Sequence, residues 1–372
     1  MLDHSCIRYQ DLSQNRALFI SDIHGEGELL KELLRKVHYV PGQDSLFLLG
    51  DLIEKGRASL DTLHQVTALM DKGVETRVVV LKGNNDEAEQ LLEETIPLPM
   101  KLGYLRTRQS LISEMAQAQG ITIDEKTDFG ILRQRLTAAY AEEFAFLRDL
   151  PLLAAGQGYA AVHSSIQNIE NLRQNHPRLM LKDNDFLLNS DCRFSVPVIV
   201  GHMPTVALSD RQADCGVHYL KDRNLFAIDG GCGMHAHGQL NALIVEQGDF
   251  QHFQTAYADH LIRRRVIGEQ VGTPKELQVF VRYFESGIEV LEEDGAFLKV
   301  RHLKTNRLLE IPRGALRIIE GKTHCFNSTS CWLPLHSGQE VAVIQEYGDR
   351  VFCKHEGRLG WVSSTVLENL VK

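Results

Sequence analysis

Five short segments put an aspartate, asparagine or histidine just past a β-rich run: SDIHG (21–25), LGDLIEKG (49–56), KGNND (82–86), VHSS (162–165) and VGHMP (200–204). Between them they offer Asp22, His24, Asp51, Asn84, His163 and His202. This mixed oxygen and nitrogen donor set suits manganese, iron or zinc better than magnesium or calcium, which favour oxygen ligands. Six donors are enough for two divalent cations, with manganese expected first and iron or zinc as alternatives. Cations held about 3.5–4 Å apart need an anion between them, and a carboxylate such as Asp51 can span both. Asp22 and His24 would serve one cation, because residues i and i+2 share a face where the chain is extended. Asn84, His163 and His202 would serve the other. The chemistry implied is in-line attack on phosphorus by a metal-bound hydroxide, with no covalent enzyme intermediate.

The elements that must position these side chains show in the hydrophobic pattern. ALFIS (17–21) reads as a strand, and GELLKELLRKVHY carries Leu29, Leu30, Leu33, Leu34 and Val37 on one helical face. SLFLLG (45–50) is a second strand. Residues 58–72 place Leu60, Leu63, Val66 and Met70 at helical spacing ahead of Gly73, a C-terminal cap. RVVVLKG (77–83) is a third strand. Residues 86–150, rich in Leu, Glu, Gln and Ala, predict a helical insertion that forms a cap beside the site. Strand character returns at YAAVH (159–163), VPVIVGH (196–202), LFAIDGG (225–231) and LNALIVEQG (240–248). Strands alternating with helices predict an α/β layered core, in which ligands gather at the carboxyl ends of the strands.

Around 255–276 the texture changes, through RRR (263–265) and GTPKE (272–276), into an all-β tail. The expected domains are 1–270 and 275–372. RRR is read as a solvated helix face without a role. The tail has two blocks, about 277–320 and 326–372, and the strands, Gly-Asp and Glu-Gly turns and Gly360-Trp361-Val362 of the second are similar to an SH3-type barrel, as one of a tandem pair. That similarity allows a peptide partner, met through aromatic residues such as Tyr347 and Trp361, and equally a tail that only packs on the catalytic domain or mediates dimers.

Composition narrows the function classes. A chain of 372 residues has room for one large domain of about 250 residues and a smaller one. A net charge of -9 argues against a broad nucleic-acid-binding face. Cysteines 6, 192, 215, 232, 325, 331 and 353 are odd in number and show no CxxC spacing, so reduced thiols are expected rather than a disulfide framework. The polar N-terminus MLDHSCIRYQDLSQ has no signal-peptide pattern, and no apolar run approaches the ~18 residues of a membrane helix, so a cytoplasmic location is expected. Gly25 and Gly27 begin something like a dinucleotide fingerprint, but Leu30 stands at its third glycine position, and that reading is dropped.

The ordered set D-x-H, G-D-x-x-x-x-G, G-N-x-D, V-H and G-H resembles the calcineurin-like metallophosphoesterases, in their phosphoprotein phosphatase branch, over roughly residues 16–250. FLRDLPLL (146–153) and FAIDGGCG (226–233) extend the resemblance. It implies a β-sandwich flanked by helices and a phosphorylated protein or small molecule as substrate. Asp22, His24, Asp51, Asn84, His163 and His202 match the family's metal positions. By the same resemblance Asp51, Asn85 and Lys55 would be catalytic, and Lys55, Asn85 and Lys182 would contact phosphate, although Lys182 reads more readily as a surface lysine.

Two departures bear on the chemistry. Where the family has G-D-x-x-D-R-G, this chain has Gly50-Asp51-Leu52-Ile53-Glu54-Lys55-Gly56, so a charge survives without the bidentate guanidinium fork. Where the family has G-N-H-[ED], this chain has Gly83-Asn84-Asn85-Asp86. The family's histidine protonates the leaving group, and an amide has no proton to give near neutral pH. A positioned general acid is worth about 10²- to 10⁴-fold. The expected activity is therefore a phosphomonoesterase favouring leaving groups that need little protonation. The alternatives are a phosphodiesterase or dinucleoside polyphosphate hydrolase, and a phosphate-binding regulator with little turnover. His235 or His237, in CGMHAHG, could replace the missing acid, against the simpler expectation of a solvated loop.

Overall fold

Period-2 alternation decides where the cores form. On the strand Arg16–Ile20 (β2), Ala17 and Phe19 face one way and Leu18 and Ile20 the other. The same division separates Phe47 and Leu49 from Leu46 and Leu48, along and just past Ser45–Leu48 (β3). It recurs for Val79 and Leu81 against Val78 and Val80, around Val78–Val80 (β4). One set joins an aromatic core in which Phe19 and Phe47 stack at 4.6 Å beside Tyr159, Phe226 and Phe250. The other set packs with Leu29, Leu30, Leu33 and Leu34 of the helix Gly27–Lys36 (α1) and with Leu63 and Val66 of Ser59–Met70 (α2).

The computed structural model describes residues 2–70 and 77–369; the expected cap at Gly73 lies outside them. The chain forms two compact units, Met1–Pro204 with Val217–Asp259, and Thr205–Gly216 with His260–Lys372. The first is an α/β sandwich of two mixed sheets. One sheet runs β11-β10-β2-β3-β4, where Leu240–Glu246 is β10 and Gln254–Ala258 is β11, with β2, β3 and β4 parallel. The other runs β1-β5-β6-β7-β9-β8: Ile7–Tyr9 (β1), Leu153–Gly156 (β5), Tyr159–Val162 (β6), Val198–Val200 (β7), His218–Leu220 (β8) and Leu225–Ala227 (β9). Within it β6, β7 and β9 are parallel. Between Asp86 and Leu150 the chain is helical, with Leu98–Thr107 (α3), Leu111–Ala118 (α4), Phe129–Ala139 (α5) and Ala141–Asp149 (α6). Glu114 of α4 accepts from the backbone N–H groups of Ser59 and Leu60 at 2.9 and 2.8 Å. A carboxylate there satisfies orphan donors at the start of α2 and complements its dipole.

The second unit is all β. The antiparallel strands Ile288–Asp294, Phe297–His302 and Arg307–Pro312 form one sheet. Ile262–Arg265, Glu340–Tyr347, Arg350–His355 and Arg358–Ser363 form another. Val206, Ala213 and Cys215, from the early segment of this unit, pack with Phe280 and Leu359. The RRR run is a strand and not a helix face. Arg264 is buried in it, bonded to Glu346 at 2.9 Å and to the Glu368 carbonyl, because edge pairing with Glu340–Tyr347 turns alternate side chains inward. Trp361 is 3% exposed and donates its indole N–H to the Thr329 carbonyl at 2.7 Å, which makes it a core residue rather than a surface contact. All seven cysteines are free thiols. Among the described residues no helix is long and apolar enough to cross a membrane.

Candidate metal centre

The six candidate ligands sit just beyond the carboxyl ends of parallel strands: Asp22 and His24 after β2, Asp51 after β3, Asn84 after β4, His163 after β6 and His202 after β7. The loops after β2 and β3 stay hydrogen-bonded past the strand ends, Asp22 N–H to Gly50 O at 3.1 Å and His24 N–H to Asp51 O at 2.9 Å. Asp22 and His24 are not an extended pair. Their φ angles are +56° and +49°, and Asp51 and His202 are left-handed too, at +52° and +67°. Such conformations cost roughly 1–2 kcal/mol per residue outside glycine, although Asp and His tolerate them better than most. They persist because surrounding bonds over-determine the loops. The shared face thus comes from sharp turns and not from pleating.

Close approach of these loops demands glycine. A Cβ on Gly83 would lie 2.2 Å from the Asp51 nitrogen, and one on Gly201 would lie 1.9 Å from Ser21 Oγ and 2.3 Å from Asp22 Oδ2. The KGN and VGH motifs therefore carry glycine for a spatial reason that spacing alone does not reveal.

Asp51 lies between two groups of donors. Its Oδ2 is 3.6 Å from His24 Nε2, which is 3.8 Å from Asp22 Oδ1. Its Oδ1 is 3.4 Å from His163 Nε2, whose ring centroid is 5.2 Å from that of His202. Asp22, His24 and Asp51 form one cluster whose ligand atoms lie within 4.8 Å of one another, and Asp51, His163 and His202 form a second. Asn84 Oδ1 joins the second group, 3.4 Å from His163 Nε2 and 2.8 Å from His202 Nδ1. With its oxygen inward the Asn84 amide faces other acceptors, an arrangement a cation relieves; turned over, it donates to His202 Nδ1 and the Leu181 carbonyl.

Each imidazole is aimed by its other nitrogen: His163 Nδ1 by the Leu49 carbonyl at 2.8 Å, His24 Nδ1 by the Ile53 carbonyl at 3.2 Å, and His202 Nε2 by Asn184 Oδ1 at 3.0 Å. That outer bonding is what metal-binding histidines require. Asp22 Oδ2 accepts from Ser21 Oγ and the His202 N–H, whereas its Oδ1 is buried and accepts no hydrogen bond. A buried carboxylate oxygen left so is costly unless a cation meets it. These residues fit a pair of divalent cations.

The electrostatics follow from burial. Burial raises Asp22 to about 6 against the pull of His163. Burial opposes ionisation of Asp51 as well, but His163, His24 and Lys55 outweigh it and hold its pKa below the usual range. Burial, with Lys55, pushes His24 down to about 3, and burial, with His163, does the same to His202. Both rings are thereby neutral at physiological pH, the state in which a nitrogen can bind a metal.

The other expected contacts are placed as follows. Lys55 Nζ lies 3.1 Å from His24 Nε2. The charge of Lys182 contributes to depressing the His202 pKa. Asn85 is turned onto Asp51: its backbone N–H donates to Oδ1 at 2.8 Å and its amide to Oδ2 at 2.5 Å. His235 and His237 stack on each other at 4.9 Å, and burial, then the charge of Lys55, lowers the pKa of His235.

Sequence reasoning missed three acids. Asp86, 2% exposed, accepts the backbone N–H groups of Asp51, Leu52 and Gly83 at 2.8, 2.8 and 2.7 Å, and so holds the β3 and β4 loops together. Burial and then Asp51 raise its pKa to about 7. Asp229, fully buried after β9, accepts from the Gly231 N–H at 2.7 Å. Its place in FAIDGG repeats the pattern of the other five segments, which was the available signal. Glu54 is 2% exposed, and its carboxylate accepts from Tyr104 Oη at 2.8 Å and Leu111 N–H at 2.9 Å, tying the β3 loop to the helical insertion. Asp86→Ala would strand three buried donors at about 1–3 kcal/mol each. Urea unfolding is expected to show a loss of about 3 kcal/mol or more.

The calcineurin-like phosphoesterase family model matches residues 16–223, more than half of the chain and all six candidate ligands. The chain belongs to the calcineurin-like phosphoesterase family. It has this family's α/β fold, and the family uses a dinuclear divalent-metal centre. A segment of 67 residues of this phosphoesterase is 43% identical to the symmetrical bis(5'-nucleosyl)-tetraphosphatase of Escherichia coli (strain K12 / DH10B) and to the protein of that name in Shigella boydii serotype 18. The segment is 18% of this chain and only 22% of those relatives. Among solved structures, a protein provisionally described as a diadenosine tetraphosphatase aligns over 68% of this chain and 98% of its own, at 17% identity and a TM-score of 0.45. A protein serine/threonine phosphatase from Saccharomyces cerevisiae aligns over 69% and 84%, at 13% identity and a TM-score of 0.41.

Proposed function

We propose that this phosphoesterase is a phosphomonoesterase whose two divalent cations, manganese first among the candidates, are held by Asp22, His24, Asp51, Asn84, His163 and His202. The single observation that carries the reading is Asp51, with one carboxylate oxygen toward each donor group. When bound, such a cation pair supplies Lewis-acid polarisation of the phosphoryl oxygens and an acidified water near neutral pH.

The chain's own residues do the rest. Buried carbonyls and Asn184 orient the imidazoles, and Asp86 keeps the two acid-bearing loops in contact. Lys55 and Lys182 bring positive charge to the phosphate as point charges, without a planar fork. Asn85 holds Asp51 and can turn an amide hydrogen toward a phosphate oxygen, but it releases no proton. The leaving group must then depart with little protonation, which favours aryl esters.

The second reading, hydrolysis of dinucleoside polyphosphates, draws support from the names of the tetraphosphatases that share the 67-residue segment. A panel with manganese separates the two. p-Nitrophenyl phosphate is expected to be hydrolysed faster than its bis ester and than diadenosine tetraphosphate, and a dinucleotide or diester preference would overturn the first reading. His235→Ala with His237→Ala is expected to change aryl and alkyl phosphate rates by the same factor, as for a loop with no part in proton transfer; a selective loss on alkyl esters would make one of them the acid.

A further inference from the structure

A cavity of about 270 Å³ opens beside the metal centre, with Asn84 and Asn85 among its lining residues. Ile96, Met100 and Tyr104 of the helical insertion also line it. Met100 is 66% exposed, and neither it nor Ile96 belongs to the hydrophobic core that α3 to α6 share with the sheet. Apolar side chains held out of a core and beside a catalytic centre are the ordinary lining of a ligand pocket. The cavity's charged lining is acidic: Glu54 and Glu87 contribute carboxyl groups, and among the described residues that line it there is no Lys or Arg. Arg108 stacks on the Tyr104 ring at 4.4 Å without joining the lining.

We propose that this cavity receives the leaving group of the substrate, and that it selects an uncharged, largely apolar group of aryl size over an anionic one. The inference rests on the phosphomonoesterase reading and adds to it the class of ester. A phosphoryl group at the metal centre places its leaving oxygen within reach of a cavity floored by Asn84 and Asn85. A phenyl ring there meets Ile96, Met100 and Tyr104. A nucleotide or other phosphate-bearing leaving group instead meets the carboxylate of Glu87, where like charges repel. The pocket thereby complements the missing general acid, because aryl oxygens leave without protonation.

The test uses the full chain with manganese and three substrates: p-nitrophenyl phosphate, its ring-carboxylated analogue, and diadenosine tetraphosphate. Ile96→Ala with Met100→Ala is expected to lower kcat/KM for p-nitrophenyl phosphate about tenfold, the scale of lost methylene contacts. Inhibition by inorganic phosphate should stay at the wild-type level, which shows the metal centre intact. Glu87→Lys is expected to raise kcat/KM for the carboxylated analogue about tenfold relative to the neutral ester. If both variants keep wild-type rates and ratios while the wild type turns over p-nitrophenyl phosphate, the pocket assignment is overturned and the phosphomonoesterase reading stands. If the wild type hydrolyses diadenosine tetraphosphate in preference to both aryl esters, that reading fails as well.

Discussion

Asp51→Asn is expected to reduce turnover of p-nitrophenyl phosphate by at least the 10²- to 10³-fold that one preorganised electrostatic group is worth. Retained manganese should fall by at least one equivalent per chain, measured by elemental analysis after desalting. The reason lies in the position of the carboxylate. Asp51 is the one acid common to both donor clusters, and each of its oxygens faces a different one. An amide keeps the shape but gives up the negative charge that lets two cations share so small a space. Asp22→Asn removes charge from one cluster only, so its effect on metal content is expected to be confined to a single equivalent. Equal metal content in Asp51→Asn and the wild type, with unchanged rates, would remove the basis of the metal assignment.

Asn85→His should act in the opposite direction and on one class of ester. Restoring an imidazole at this position offers a proton to the leaving oxygen, and the gain should appear where protonation matters. For an alkyl phosphate the expected rise in kcat/KM is about tenfold or more, short of the full 10²- to 10⁴-fold of a positioned acid. For p-nitrophenyl phosphate little change is expected. The shortfall has a structural cause. In this chain Glu54, which stands where the resembled motif G-D-x-x-D-R-G has its second aspartate, is engaged by Tyr104 and Leu111, so its carboxylate is not spare to hold the new ring. Glu54→Asp combined with Asn85→His shortens that arm and should recover more of the alkyl rate. A gain of equal size on aryl and alkyl esters would show that Asn85→His alters phosphate binding and not proton delivery.

The helical insertion is coupled to the centre by identifiable bonds. Glu54 reaches Tyr104 on α3 and the start of α4, Lys55 N–H donates to the Gln109 carbonyl at 2.9 Å, and Glu114 caps α2. The left-handed pair Glu54 and Lys55, at φ +72° and +69°, is thus fixed from the insertion side. Side chains that shape the leaving-group cavity and the lysine beside His24 are set by one network.

Much of this was legible in the amino-acid sequence, because it depends on local pattern. Alternating apolar residues in ALFIS, SLFLLG and RVVVLKG mark buried strands, and a polar donor straight after each marks the end where ligands gather. The six donor types follow from position in the chain alone. Only the tertiary structure decided the rest. The left-handed backbone at Asp22, His24, Asp51 and His202 comes from loops pressed against neighbours across the sheet. Asp86 reads as a loop acid until three N–H groups from two separate strand ends are seen to converge on it. RRR reads as a solvated run until strand pairing turns Arg264 inward. Period and residue type are properties of a few neighbouring positions, whereas an acceptor's partners and a loop's strain depend on groups tens of residues away, and folding alone brings those together.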